Sequence, residues 1–256
     1  MAFIDEFNSF LAANGIGQDG GIVPVALSAS SPEEAELLHG QLAAKAGKVI
    51  FVVEDRWRSQ GGTIKARLLA HNRSFRQVYA RNCEVRRIDK PLAASFLSAA
   101  HSYGDAACRY RYGLFVERTT GEKGGAFEAG ELVAVAEFSS ARKWLKENGI
   151  VRSYEWIRYA SLPGVRVVGG MGKLLDAFVK QVNPDDVMTY ADLEWSDGGA
   201  YKELGFECEG LKEPVMLAID PENWTRTALK PPFKADGRLF FKNFGSLKYR
   251  KKYTGL

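Results

Sequence analysis

The chain has 256 residues, of which 46% are hydrophobic and 26% charged, enough to bury a sizeable core in one large or two small domains. No apolar run is long enough to span a bilayer, and the N-terminus "MAFIDEFNSFLAANG" is acidic and amphipathic, unlike a secretory leader, so the expected location is cytoplasmic. The formal net charge of +4 is unevenly held: Lys230, Lys234, Arg238, Lys242, Lys248, Arg250, Lys251 and Lys252 stand against Asp236 alone, and the rest of the chain is net acidic.

Residues 3–14 read as an amphipathic helix. "IVPVALSA" and "KVIFVV" read as strands. Between them "SPEEAELLHGQLAAKAG" reads as a helix, with Ser31 as N-cap, Pro32 in the first position and acids in the first turn. These three make a β-α-β unit. "TIKARLLAHN" adds a helix, so residues 1–78 are expected to form a small α/β domain of their own. From Cys83 the order is strand "CEVRRI", helix "PLAASFLSAAH", then the strands "CRYRYGLFVE", "ELVAVAEFSS" and "RSYEWIRYAS", which short connections should join as an antiparallel meander. A glycine turn opens a further helix, followed by the strand "DVMTYADL", the short helix "GAYKEL", a turn at Gly205 and the strand "PVMLAI". The expected class is α/β (α+β): a mixed, mostly antiparallel sheet flanked by helices over residues 79–229. The tail 230–256 is expected to form a closing hairpin, "RLFFK" and "LKYRKKY" about "NFGS".

Within "RVVGGMGKLLDAF", Gly169, Gly170 and Gly172 crowd the start of a good helix-forming pattern, although each helical glycine costs about 1 kcal/mol relative to alanine. Two readings offset that cost. The glycines serve a strand-to-helix turn that needs positive φ or close packing, or they let an anionic ligand approach the backbone at a helix N-terminus.

The element order, the segment "WIRYASLPGVRVVGGMGKLL" and the pattern Tyr-x-x-x-Gly-Phe (Tyr201, Gly205, Phe206) together resemble the GNAT acyltransferase superfamily over about residues 80–220. The family loop reads Arg/Gln-x-x-Gly-x-Gly/Ala. Counting from Arg166, methionine stands where the last small residue belongs and Gly172 follows one place later, which shifts the register by one. More narrowly, "VVGGMGKLL" and "YADLEWSDGGAYKELGF" resemble a phage and mobile-element branch related to the Mom DNA-modifying proteins, in which the module follows a nuclease-like segment that residues 48–83 resemble.

The resemblance implies an enzyme that transfers an acyl group from acetyl-CoA or a related acyl-CoA to an amine by direct attack. It implies acyl-CoA contacts at Ala160, Arg166, Val167, Val168, Gly169, Gly170, Met171, Gly172 and Lys173, and a thiolate-protonating role for Tyr201. For the group that takes the amine's proton, the sequence leaves open Asp192 at a strand end, Glu137 on an apolar strand face and His101 at a helix end. Arg158 is expected to pair with Glu137 across the sheet. The acceptor is open among a nucleic-acid base, a small amine and a protein amine.

No phosphate loop, HExxH or GxSxG motif is present, and His39, His71 and His101 show no metal-ligand spacing, so no metal site is expected. Glu54 and Asp55, beside arginines, read as a surface salt bridge. The basic tail, interleaved with Phe233, Phe240, Phe241, Phe244, Tyr249 and Tyr253, has the composition of a nucleic-acid contact. The competing functional class is accordingly a non-catalytic nucleic-acid-binding protein.

Overall fold

The computed structural model describes residues 2–17, 21–122, 125–146 and 149–253. In chain order, helix α1 (Phe3–Ala13) precedes strand β1 (Ile22–Val25), helix α2 (Pro32–Leu42), strand β2 (Ile50–Val53) and helix α3 (Glu54–His71). Strands β3 (Arg76–Tyr79) and β4 (Cys83–Arg87), helix α4 (Lys90–Ala100) and strand β5 (Tyr110–Val116) come next. Then β6 (Thr120–Glu122), β7 (Gly125–Phe127), β8 (Leu132–Phe138), β9 (Arg142–Lys146), β10 (Gly149–Ser161) and β11 (Val165–Val168) lead into helix α5 (Gly170–Val182). The chain continues through β12 (Asp186–Asp192), helix α6 (Gly199–Glu203), β13 (Glu207–Lys212), β14 (Met216–Ile219), β15 (Arg226–Ala228), β16 (Leu239–Lys242) and β17 (Ser246–Lys252). Among the described residues, no helix is long and apolar enough to cross a membrane.

The chain divides into two compact units. One gathers Met1–Ile64, Tyr190–Glu203 and Cys208–Tyr249; the other gathers Lys65–Thr189, Leu204–Glu207 and Arg250–Leu256. In the first, β1 and β2 pair in parallel from Ile22↔Ile50 to Val25↔Val53, with α2 as the crossover. Ser31 caps α2 by accepting from the Glu34 N–H, and Pro32 follows it in the first turn. Helix α1 buries Phe3, Phe7 and Leu11, one helical stripe, and both phenyl rings meet Trp57 edge-on. Glu6 completes the seat, accepting from Trp57 Nε1 at 3.3 Å and Arg58 Nη1 at 2.8 Å.

"PVMLAI" was expected to end the mixed sheet. Instead β14 is the centre of a separate antiparallel sheet, β15-β14-β16, whose core side chains Leu217, Ile219 and Phe241 pack with Val25, Phe51 and Val53. The C-terminal hairpin is likewise corrected: β16 pairs with β14, and β17 lies in a different sheet. Asp55 is no surface group. It is fully buried and bound by Arg226, which also reaches the buried Glu194 through Nη1 at 2.8 Å. Two carboxylates on one guanidinium satisfy charges that burial would otherwise make costly.

In the second unit the sheet runs β12-β10-β8-β5-β4. The meander β5-β8-β10 is antiparallel, as its short connections require, and only β10 with β12 is parallel. This is the mixed, mostly antiparallel sheet with helices on it that the sequence implied. Helix α4 packs Ala93 and Leu97 on Val135 and Ala160. The alternating residues serve α5, whose Phe178 stacks on Phe138 with centroids 4.0 Å apart. A separate parallel pair, β3 with β11, brings the strand before the glycine turn beside residues 76–79.

Candidate active site

The site is built around the start of α5. Gly169 holds a left-handed conformation, φ 77°, which only glycine adopts without strain. No side chain caps the helix. The first N–H groups of any helix lack intrahelical partners, and here the first-turn bond begins at Lys173 N–H to Gly169 C=O, 3.0 Å. Gly170 is buried: a Cβ there would stand 2.8 Å from Val167 Cγ1 and 3.0 Å from the Tyr159 hydroxyl. Gly172 faces Leu204, whose Cδ2 would be 3.4 Å from an added Cβ. The structure thus sets the register of the turn, with Gly170 and Met171 opening the helix and Gly172 third. Leu174, Leu175 and Phe178 continue the buried face that Gly170 begins and anchor the helix.

Arg166, Val167 and Val168 belong to the strand β11 rather than to a loop. Val167 is buried beneath the turn, while Arg166 is exposed and lies over the Phe75 ring at 5.5 Å. Lys173 points away along the chain, its Nζ donating to the carbonyls of Ala80, at 2.9 Å, and Cys83. It fixes the turn to the segment before β4.

Strand β10 delivers the neighbouring wall. Its parallel ladder with β12 runs from Ser153↔Asp186 to Glu155↔Met188, and β10 continues to Ser161 against β8 alone in the recorded register. The register with β8 shifts between Trp156 and Arg158, an irregularity that re-aims the strand. Trp156 stacks on Phe138 and its Nε1 donates to the Arg158 carbonyl at 2.9 Å. Tyr159 points to the α5 side, and burial pushes its phenol above the ordinary range, so it remains a neutral O–H. Ala160 is buried against α4.

Glu137 is wholly buried. Its partner is Arg111, not Arg158: Arg111 Nε donates to Oε1 at 3.1 Å and the Ala106 N–H to Oε2 at 3.2 Å. Arg158 instead donates to the carbonyls of Gly104 and Ile157, both at 3.0 Å. Both arginines stand opposite Glu137 in register, one on each neighbouring strand, and the loop 104–108 decides between them. Burial, and then the neighbouring Asp105 carboxyl, raises the Glu137 pKa above its ordinary value. Burial and the Glu137 charge push the nearby Cys108 thiol up to about 12.

His101 is the C-cap of α4, and its Nδ1 accepts the Tyr103 N–H at 3.0 Å, which leaves the ring proton of the neutral imidazole on Nε2. Asp192 and Tyr201 belong to the other unit. Asp192 Oδ1 accepts the Glu194 N–H at 3.0 Å at the end of β12. Tyr201 sits in α6 with its ring 5.8 Å from that of Tyr249, and Gly205, at φ 79°, turns the chain out of the helix. Sequence reasoning brought Gly169, Gly170 and Gly172 to one turn, but missed Tyr159 and Arg111. The alternation of β10 carried the first signal, since Tyr159 and Ala160 must face opposite sides.

No protein-family model matches the chain, and no curated protein sequence does. Solved structures do show a likeness. An acetyltransferase of Corynebacterium glutamicum, described as histone acetyltransferase HPA2 and related acetyltransferase, is 12% identical over 68% of this chain and 98% of its own, with a TM-score of 0.41. The Bacillus subtilis acetyltransferase in complex with CoA is 12% identical over 67% and 99%, TM-score 0.42. The ribosomal-protein-S18-alanine N-acetyltransferase of Escherichia coli is 11% identical over 68% and 96%, TM-score 0.38.

Of the eight tail cations, Arg238, Lys242, Lys248 and Arg250 make ion pairs within the chain, with Asp236, Glu36, Glu209 and Asp186, and Lys251 donates to the Leu204 carbonyl. The run that reads as a basic stripe in sequence is largely consumed by the fold.

Proposed function

We propose that the chain is an acyl-CoA-dependent N-acyltransferase, passing an acyl group, acetyl in the simplest case, to an amine by direct attack. The observation that carries the reading is the start of α5: a left-handed glycine, no capping side chain and a glycine in the third position, so that a phosphate can reach the first-turn N–H groups and the positive end of the helix dipole. A Cβ at Gly169 would be strained, which keeps that approach clear.

In this reading Gly170, Met171 and Gly172 hold the pyrophosphate through their backbone. Arg166, Val167, Val168 and Lys173 contribute by fixing the turn. The end of β10 at Tyr159 and Ala160, past the carbonyls of Trp156, Ile157 and Arg158 that accept from Thr189, Arg158 and Trp156, offers main-chain groups to an extended amide-bearing arm, as a sheet edge does to an added strand. Acyl-CoA, when bound, supplies a thioester carbonyl activated for attack. Asp192, at a strand end, is the group assigned to take the amine's proton, and Tyr201 the group that returns one to the departing thiolate. Glu137, clamped by Arg111 and the Ala106 N–H, shapes the strand instead, and His101 holds its proton at Nε2 and orders the loop through Nδ1.

The acceptor is an amine, and the likeness to Mom-like proteins puts a nucleic-acid base among the acceptors to test first. The full chain is incubated with acetyl-labelled acetyl-CoA and, separately, double-stranded DNA, a polyamine and a lysine peptide. Label transferred to one acceptor and lost in Asp192→Asn supports the reading. No transfer to any of the three, with no release of free CoA thiol, overturns it.

A further inference from the structure

The antiparallel ribbon formed by β9 and the first residues of β10 does not serve the core. Leu145 and Ile150 stand directly opposite one another and are 86% and 62% exposed, and Trp144, opposite Val151, is 54% exposed. A solitary exposed leucine needs no explanation, but three large apolar side chains together on a short two-stranded ribbon do. On its other side β9 pairs with no strand among the described residues, so its main-chain donors and acceptors along that edge are open to an added strand. Natural edges of this kind are usually blunted by inward charges, proline or a covering element. This one sets a tryptophan and a leucine beside Arg142 and Lys143.

The charges near the ribbon say what would cover it. Arg142 and Lys143 have no ion pair among the described residues, whereas Arg152, the cation opposite Lys143, is already neutralised by Asp185, which accepts its backbone N–H at 2.6 Å and its guanidinium at 3.3 Å. A second copy pairing antiparallel about Lys143 would set that lysine against its own copy, and directly opposed like charges destabilise a sheet. A nucleic acid would match the charge but would leave the open strand edge and the aliphatic Leu145–Ile150 pair without complements.

We propose that this ribbon is a docking edge for an extended protein segment in which acidic residues alternate with aliphatic ones. The segment adds to β9 as a strand, its aliphatic side chains covering Leu145 and Ile150 on one face and its carboxylates meeting Arg142 on the other, where Trp144 also stands. This stands independently of the acyl-transfer reading.

The probe is a fluorescein-labelled synthetic peptide alternating glutamate with valine and leucine, titrated into the full chain and followed by anisotropy. Trp144 is the exposed tryptophan of the five, the others being buried or half-buried, so iodide quenching of intrinsic fluorescence reports on it directly. Saturable binding is expected, with loss of iodide quenching and about tenfold or greater weakening in Leu145→Asp and in Arg142→Glu. Both side chains are solvent-facing, so the thermal unfolding of the variants should match the parent. Four results would overturn the proposal: no binding at millimolar peptide, equal binding of a lysine-for-glutamate peptide, equal binding of a backbone N-methylated peptide, or binding of a single-stranded oligonucleotide in place of the peptide. Self-association abolished by Leu145→Asp would overturn it too, in favour of a second copy.

Discussion

The Tyr159 hydroxyl lies 3.0 Å from the point where a Cβ on Gly170 would stand, and Val167 Cγ1 lies 2.8 Å from the same point. The start of α5 is therefore packed as well as opened by its glycines: Gly170 gives close approach within the chain, and Gly169 supplies the left-handed turn. Gly170→Ala should destabilise the protein by about 1–3 kcal/mol, the usual cost of overpacking, despite alanine's better helix propensity. Tyr159→Phe in the same background should recover part of the loss by removing one of the three close atoms, the others being Cγ1 and Cβ of Val167. A double-mutant cycle in urea with no coupling between the two positions would contradict this.

Arg226 holds two buried carboxylates, Asp55 and Glu194. Arg226→Met keeps most of the volume but strands both acids, and should cost about 3–5 kcal/mol at neutral pH. The deficit should shrink as pH falls, because the stranded carboxylates can then be protonated. Urea denaturation of parent and variant at two pH values measures this, and a deficit that grows on acidification would be inconsistent with the geometry.

Much of the fold could be read locally. Ser31 and Pro32 announced α2, and the short links between β5, β8 and β10 announced their meander, because caps and short connections act within a few residues. Pairings that depend on distant segments were not legible. Asp55 and Arg226 are 171 residues apart, and β16 finds β14 rather than its chain neighbour β17. Strand β13 was missed because all six of its residues are exposed and carry no period-two burial signal. For Glu137, alternation placed the side chain on the correct face but could not choose between Arg111 and Arg158, which stand opposite it on either side.

The Glu137 carboxyl also sets a pH dependence. Its folded pKa lies above the ordinary value of 4.5, through burial first and Asp105 second. A carboxyl raised in the folded state favours folding fully below its unfolded pKa, and that contribution is lost as pH rises through the folded value. The stability of the parent relative to Glu137→Gln should therefore decline as pH rises from about 4.5. Arg111 retains the carbonyls of Ala106 and Cys108, both at 3.3 Å, so the variant should remain folded. A relative stability that increases over the same interval would show that the ion pair with Arg111 outweighs burial.

The most direct test of the central claim is a thermal shift of the full chain with and without acetyl-CoA, made on the parent and on Met171→Glu. Met171 is half-buried in the first turn of α5, where a glutamate should leave stability unchanged or raise it by about 0.3–1 kcal/mol through the helix dipole. The same carboxylate would repel a pyrophosphate. At about a hundredfold excess over Kd, ligand binding should stabilise the parent by about 2.7 kcal/mol. The account predicts a clear rise in Tm for the parent and none for the variant. Equal shifts in both, or no shift in the parent at millimolar acetyl-CoA, would contradict it.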